Sequence, residues 1–180
     1  HYTSDAYFRL EGDIDLEGIE WSTAIIPFLD GGFDGNGYEI RNMKMNGGQS
    51  LGFIGTSFPS TVKNLSIINM DIRGFDWLRG SGGLCGSFRG DIEKCYVTGE
   101  LNSPGKLFYV LGGMCGYCAG DVSDSFCCVD INGIGGFEIG GMFGKFYGDV
   151  NNCHSRGTLN ISESVCAFGG LCGKFDGGNI

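Results

Sequence analysis

Proline occurs only 3 times in 180 residues and histidine only twice. With so little proline, and no glycine at every third position, a collagen triple helix is excluded. Nothing apolar recurs at i, i+3, i+4 and i+7, so amphipathic helices are not expected. The longest mainly apolar stretch, Leu107 to Ala119, is broken by Gly112, Gly113 and Gly116, and it falls short of the ~20 residues a membrane-spanning helix needs. Membrane insertion is therefore not expected. Positive charge is scarce: 12 Lys and Arg stand against 21 Asp and Glu, a net charge of -9. That balance disfavours nucleic acid and anionic bilayers as partners. The first residue is His1, with no charged, apolar, small-residue leader pattern behind it. Either a leader has been removed or the chain is a piece of something longer.

Two residue types are abundant instead. Glycine appears 35 times, roughly one residue in five, against about 7% in ordinary globular proteins. Hydrophobic residues reach 42% and aromatics 13%, a composition that folds and is too apolar for a flexible glycine-rich linker or for intrinsic disorder. The glycines must serve packed turns. Nine cysteines lie below the density of small disulfide scaffolds yet are many for a reducing cytosol, and an odd count leaves one thiol over.

A single module recurs. Gly82-Gly83-Leu84-Cys85-Gly86, Gly112-Gly113-Met114-Cys115-Gly116, Gly140-Gly141-Met142-Phe143-Gly144 and Gly169-Gly170-Leu171-Cys172-Gly173 are full copies, and Leu51-Gly52-Phe53-Ile54-Gly55 is a weaker one. The second glycine falls at 52, 83, 113, 141 and 170, which sets a period near 29. Behind three of the copies stand Gly90-Asp91-Ile92, Gly120-Asp121-Val122 and Gly148-Asp149-Val150, and the units close with Leu101-Asn102, Ile131-Asn132 and Leu159-Asn160. Period-2 alternation with β-branched and aromatic residues predicts two or three strands of about five residues per unit. A unit this small cannot bury its own apolar face and must stack on its neighbours. The expected fold is all-β: a single-stranded parallel β-solenoid (β-helix) of about six rungs. It forms one domain over 1–180, with opening rungs in 1–48 and glycine-rich repeats in 49–180, the last repeat incomplete. Three columns are expected to look inward: Phe53/Leu84/Met114/Met142/Leu171, Val62/Ile92/Val122/Val150 and Leu65/Cys95/Ser125/Cys153. Corners in every rung are expected to demand positive φ or close backbone approach, hence glycine. In the opening rungs Tyr7 to Leu16 alternates, and Phe33 to Ile40 reads as two strand pieces about the Asn36-Gly37 turn signal.

The ordered string Tyr7-Phe8-Arg9-Leu10-Glu11-Gly12-Asp13-Ile14-Asp15-Leu16, Trp21, Phe33-Asp34-Gly35-Asn36-Gly37-Tyr38-Glu39-Ile40 and the repeated Gly-Gly-Leu/Met-x-Gly resembles the GLUG-repeat β-solenoids of large microbial cell-surface and secreted proteins. The match covers nearly the whole chain. The resemblance implies an extracellular location and a passive, adhesive or structural role, not a chemistry. The chain departs from the usual pattern in placing cysteine at 85, 115 and 172.

Most cysteines are expected to fill the core. Cys85, Cys115 and Cys172 share one rung position with Phe143, and Cys118 takes a place held by Phe88, Phe146 and Phe175. Cys85 and Cys115, one rung apart, stand within disulfide range, though their side chains run parallel. Cys128 differs: its column holds Ile68, Thr98 and Arg156, so alternation points it outward as the accessible thiol and the intermolecular cross-link. Outward too are Tyr96, Phe126 and His154, successive on one face, a contact stripe for a partner or a glycan.

No active site stands above background. Zinc on Cys115-x-x-Cys118 with Cys127, Cys128, Cys153 and His154 is disfavoured because alternation sends the vicinal sulfurs to opposite faces. Calcium on Asp91, Asp121 and Asp149 is explained more simply by exposed turns, and Ala24 stands where an EF-hand loop from Asp13 would need glutamate. Cys153 and His154 face opposite ways and form no dyad. No catalytic, cofactor-binding or metal residue is expected. The last copy stops at Gly177-Gly178-Asn179-Ile180 without a polar cap, so its edge is expected to be continued by a longer solenoid or by other copies. The expected function is a non-enzymatic, extracellular structural or adhesive solenoid that self-associates edge to edge, disulfide-linked into a surface layer, sheath or filament, or contacts other surface proteins and glycans. The alternative is a glycan-binding or glycan-cleaving module of a larger secreted protein.

Overall fold

The computed structural model describes residues 6–74, 80–104, 110–163 and 165–179, without the side chains of Phe137 and Val165; His1 and Ile180 lie outside them. Among the described residues every regular element is a strand and none is a helix. The strands join into sheets of 11, 9 and 3, and the pairing is parallel throughout. In-register partners reproduce the sequence repeat: Ile54 faces Cys85, Cys85 faces Cys115, Cys115 faces Phe143 and Phe143 faces Cys172. Parallel pairing at a nearly constant offset means that each coil lies directly on the one before it. The chain is a parallel β-solenoid with a repeat near 29 residues. Tyr7–Arg9, Gly32–Asp34, Ser60–Lys63, the end of Cys85–Glu93, Val122–Ser123 and Val150–Asn151 form six successive levels, so the chain climbs about five turns between the first and the last.

All three expected inward columns are inward. Phe53, Leu84, Met114 and Met142 are buried, as are Val62, Ile92 and Val122 and then Leu65, Cys95 and Ser125. Leu171, Val150 and Cys153, on the last coil, are only partly covered and pack against the core. Stacking like on like about 4.8 Å apart gives each side chain the same neighbours above and below, which is why a short unit with few apolar residues still makes a dry core.

The glycines divide into two roles. Gly90, Gly120 and Gly148 have φ of 121°, 144° and 142°, and a Cβ there would lie 1.9, 2.0 and 2.2 Å from the carbonyl oxygens of Ser60, Gly90 and Gly120. This is the expected corner role. The second glycine of the doublet instead makes room: a Cβ on Gly83 would meet Met70 Sδ and Val97 Cγ1 at 2.5 Å, and one on Gly113 would meet Cys127 Sγ at 2.4 Å. A further corner uses Asn64, Lys94, Asp124 and Asn152, all left-handed with φ between 49° and 52°. Asn36 and Gly37, with φ of 54° and 81°, turn a corner of the same kind, so Gly32–Asp34 and Glu39–Arg41 enter different sheets and do not pair with each other. Tyr7 to Leu16 likewise resolves into Tyr7–Arg9 and Ile14–Asp15 in two sheets.

One layer was not expected. Among the described residues Val110–Gly112, Gly136–Gly140 and Val165–Gly169 form the three-stranded sheet, and a single parallel bridge between Ser81 and Leu111 continues it to the coil before. Its backbone lies directly on the last glycine of the two final modules: a Cβ on Gly144 would meet Leu111 N at 2.7 Å, and one on Gly173 would meet Ile139 N at 2.5 Å.

Candidate functional site

Tyr96, Phe126 and His154 follow one another along one face, in register on the nine-stranded sheet. Tyr96 stacks on Phe126 with ring centroids 4.9 Å apart and planes 18° from parallel, and Phe126 meets His154 at 4.3 Å and 52°. The rings therefore spend their faces largely on one another and present edges to solvent. Such pairs add about 0.5–1.5 kcal/mol each beyond burial, so the stripe also stiffens this face.

All nine cysteines are free thiols. Cys85, Cys95, Cys115, Cys118 and Cys127 are buried in the core. Burial pushes Cys95 up to about 12, and it drives Cys85, Cys115 and Cys127 up as well. Cys172 on the last coil is pushed up to about 11 for the same reason. Thiols held neutral are poor nucleophiles, so these sulfurs act as small apolar side chains. Cys85 and Cys115 pair in register but do not bridge; Cys85 Sγ turns instead to the Gly55 carbonyl at 3.8 Å. Cys128 stands in the column of Thr98 and Arg156, between Cys127 and Val129, which are buried, and its own side chain is half-buried. The exposed thiol is Cys166, in the three-stranded sheet, and column reasoning from the main repeat did not reach it.

Cys153 and His154 do face opposite ways. Cys153 Sγ lies 3.5 Å from the Val122 carbonyl, whereas His154 is in the outward stripe. The aspartate column has a backbone role: Asp91 Oδ1 accepts the N–H of Asp121, Asp121 Oδ1 that of Asp149, and Asp149 Oδ1 that of Asn179. Asn102, Asn132 and Asn160 form a second ladder, each amide donating to the carbonyl oxygen of the one before at 3.1 and 2.9 Å. Asp13 likewise accepts the Glu39 N–H and pairs with Arg41, and Asp15 accepts Asn42 Nδ2. Among the described residues no group of three or more His, Cys, Asp or Glu is placed to hold a metal ion.

Charge is patterned along the outer columns. Arg9, Asp34, Lys63 and Glu93 alternate in sign over four coils, each opposite the next. Asp71, Glu100 and Asp130 by contrast stack acid on acid. At the far end Asp176 accepts from Tyr147 at 2.8 Å and pairs with Lys145 and Lys174, and Lys174 reaches the buried Glu138 of the three-stranded sheet at 3.9 Å. That network ties the added sheet to the solenoid.

Comparisons with protein-family models, with curated proteins and with solved structures find no match.

Among the described residues the inward columns are less covered on the outermost coils. Phe8, opposite buried Phe33, is 51% exposed, and Ile14, opposite buried Ile40, is 40% exposed. At the other end Phe168, opposite fully buried Ile139, is 54% exposed.

Proposed function

We propose that this chain is a non-catalytic, extracellular structural or adhesive rod of the GLUG-repeat kind, which stacks on further copies of itself end to end. The observation that supports this most is the open core. Phe8 and Ile14 at one end and Phe168 at the other belong to columns that are dry one coil further in. One more coil of the same shape, added in parallel, would complete each column and satisfy the unpaired strand edge. Further coils of the same kind or a second copy would supply it, and the second copy is what we propose. Head-to-tail stacking of this type is heterologous and does not close, so it yields a filament. Side contacts are locked through the outward thiols, Cys128 and the more exposed Cys166, in an oxidising environment outside the cell. The repeated aspartates, already bonded to backbone, favour a structural role over a hydrolytic one. The alternative, a glycan-binding or glycan-cleaving module, gains less from the aromatic stripe, whose ring faces are turned to one another.

Light scattering on the native protein, over a range of concentrations and with or without reductant, tests this reading. Particle mass is expected to rise with concentration, to fall in part on adding reductant, and to drop toward the monomer in the double variant Phe8→Glu, Ile14→Glu. A monodisperse 19.2 kDa particle at every concentration, indifferent to reductant, overturns it.

A further inference from the structure

A groove of about 490 Å³ opens on the outer face of the 11-stranded sheet, away from the stripe and the thiols. Its size is in the range of small-ligand sites, about 300–1,000 Å³. Tyr7, Gly32, Thr61 and Asp91 lie opposite one another in successive coils and form one outward column along it, and Pro59 lines its side.

The column is shaped by its glycine. Gly32 leaves a gap where every neighbour has a side chain, and a Cβ there would stand 2.6 Å from Tyr7 Cδ2. The Tyr7 ring can therefore lie down across the glycine backbone. Its hydroxyl donates to Asp34 Oδ2 at 2.9 Å, which fixes the ring at its far end. Although held at both ends, Tyr7 is 58% exposed. An aromatic ring preset in this way offers a flat apolar surface at little entropic cost.

The rest of the groove is polar. Asp91 uses Oδ1 to hold the Asp121 N–H, and its second oxygen has no partner among the described residues. The Thr61 side chain is exposed beside it. An apolar ring face next to a carboxylate and a hydroxyl is the complement of a pyranose, whose C–H face stacks on an aromatic ring while its hydroxyls donate to carboxylate oxygen. The Asp91 charge and the net charge of -9 repel uronic and sialic acids. We propose that the groove binds a neutral sugar residue of a glycan. The groove opens sideways, across the outer face and not into the inward columns, and gives the rod an adhesive contact.

Saturation-transfer NMR on the whole chain tests it, with the methyl glycosides of glucose, galactose, mannose and N-acetylglucosamine as probes and glucuronic acid as the anionic control. Transfer to at least one neutral glycoside is expected, and none to glucuronic acid. The dissociation constant is expected to weaken at least tenfold in Tyr7→Ala and in Gly32→Val, which pushes the Tyr7 ring off its seat, and to be unchanged in Tyr117→Ala, on a strand column away from the groove. Strand circular dichroism checks that each variant folds, and the unmodified protein decides the matter if one does not. Absence of transfer to all four neutral glycosides, or binding that survives in the folded Tyr7→Ala and Gly32→Val variants, overturns the proposal. Neither result depends on particle mass, so this site and the stacking reading fail separately.

Discussion

The carboxylate of Asp121 accepts the backbone N–H of Asp149, one coil further on, at 2.9 Å. The Asp121 N–H is held in the same way by Asp91 at 3.1 Å. Each aspartate thus answers a donor of the next coil with a charge-assisted bond, and these bonds offset the repulsion of like charges stacked about 4.8 Å apart.

Two changes at this position separate the bond from the charge. Asp121→Ala removes the acceptor and is expected to destabilise by about 1 kcal/mol, the usual net worth of a hydrogen bond. Asp121→Asn keeps an acceptor oxygen and removes one of the stacked charges, so it is expected to melt at or above the unmodified protein at low salt. The advantage of Asn should shrink as salt screens the column. Thermal melts at low salt and at about 0.5 M salt measure both effects. An alanine variant that melts with the unmodified protein would show that the ladder contributes nothing.

The two kinds of glycine should respond differently to the same substitution. Gly120→Ala places a Cβ on the Gly90 carbonyl and forces a left-handed φ of 144° on a residue that resists it, so a loss on the order of 3 kcal/mol or more is expected. Gly83→Ala meets side chains first, Val97 Cγ1 and the flexible Met70 thioether, and should cost less because Met70 can move. Combining Gly83→Ala with Met70→Ala should recover part of the loss at 83, whereas no trimming of side chains rescues 120. Denaturant midpoints of the variants give the ordering, and equal losses at the two sites would contradict it.

The inward columns are legible in the sequence because a fixed repeat converts position into register: once Gly83, Gly113, Gly141 and Gly170 are aligned, Leu84, Met114, Met142 and Leu171 must stack. The ladder partners are not legible, since which atom Asp91 meets depends on how far each coil advances over the next. Cys166 and the sheet that contains it escape for another reason. Among the described residues its strands, Val110–Gly112, Gly136–Gly140 and Val165–Gly169, run into the first glycine of the doublet in the later coils, and the opening coils offer no doublet to align. The visible hint is the apolar residue directly before each doublet: Leu111, Ile139 and Phe168. Tyr7 is missed similarly. Its column with Thr61 and Asp91 runs through Gly32, and an opening coil without the doublet has no marker that sets its register.

Buried thiols make the fold sensitive to alkali in a definite direction. Cys95 is pushed up to about 12, and Cys85, Cys115 and Cys127 are driven up by the same burial. In the unfolded chain a thiol titrates near 8.5. Between these values the folded state keeps a proton that the unfolded state has released, so the stabilisation is complete below about pH 8.5 and is lost as pH rises toward the folded value. The slope is about 1.4 kcal/mol per pH unit for each buried thiol. Under reducing conditions the denaturant midpoint is expected to be flat from about pH 6 to 8 and to fall steeply above that. Cys95→Ala and Cys127→Ala should start lower at neutral pH, because each leaves a small void, but should decline less steeply, since one titrating group is gone. Tyrosine and lysine also titrate in alkali but are common to all three proteins, so the difference in slope isolates the thiol; identical slopes would mean that these sulfurs do not govern alkaline unfolding.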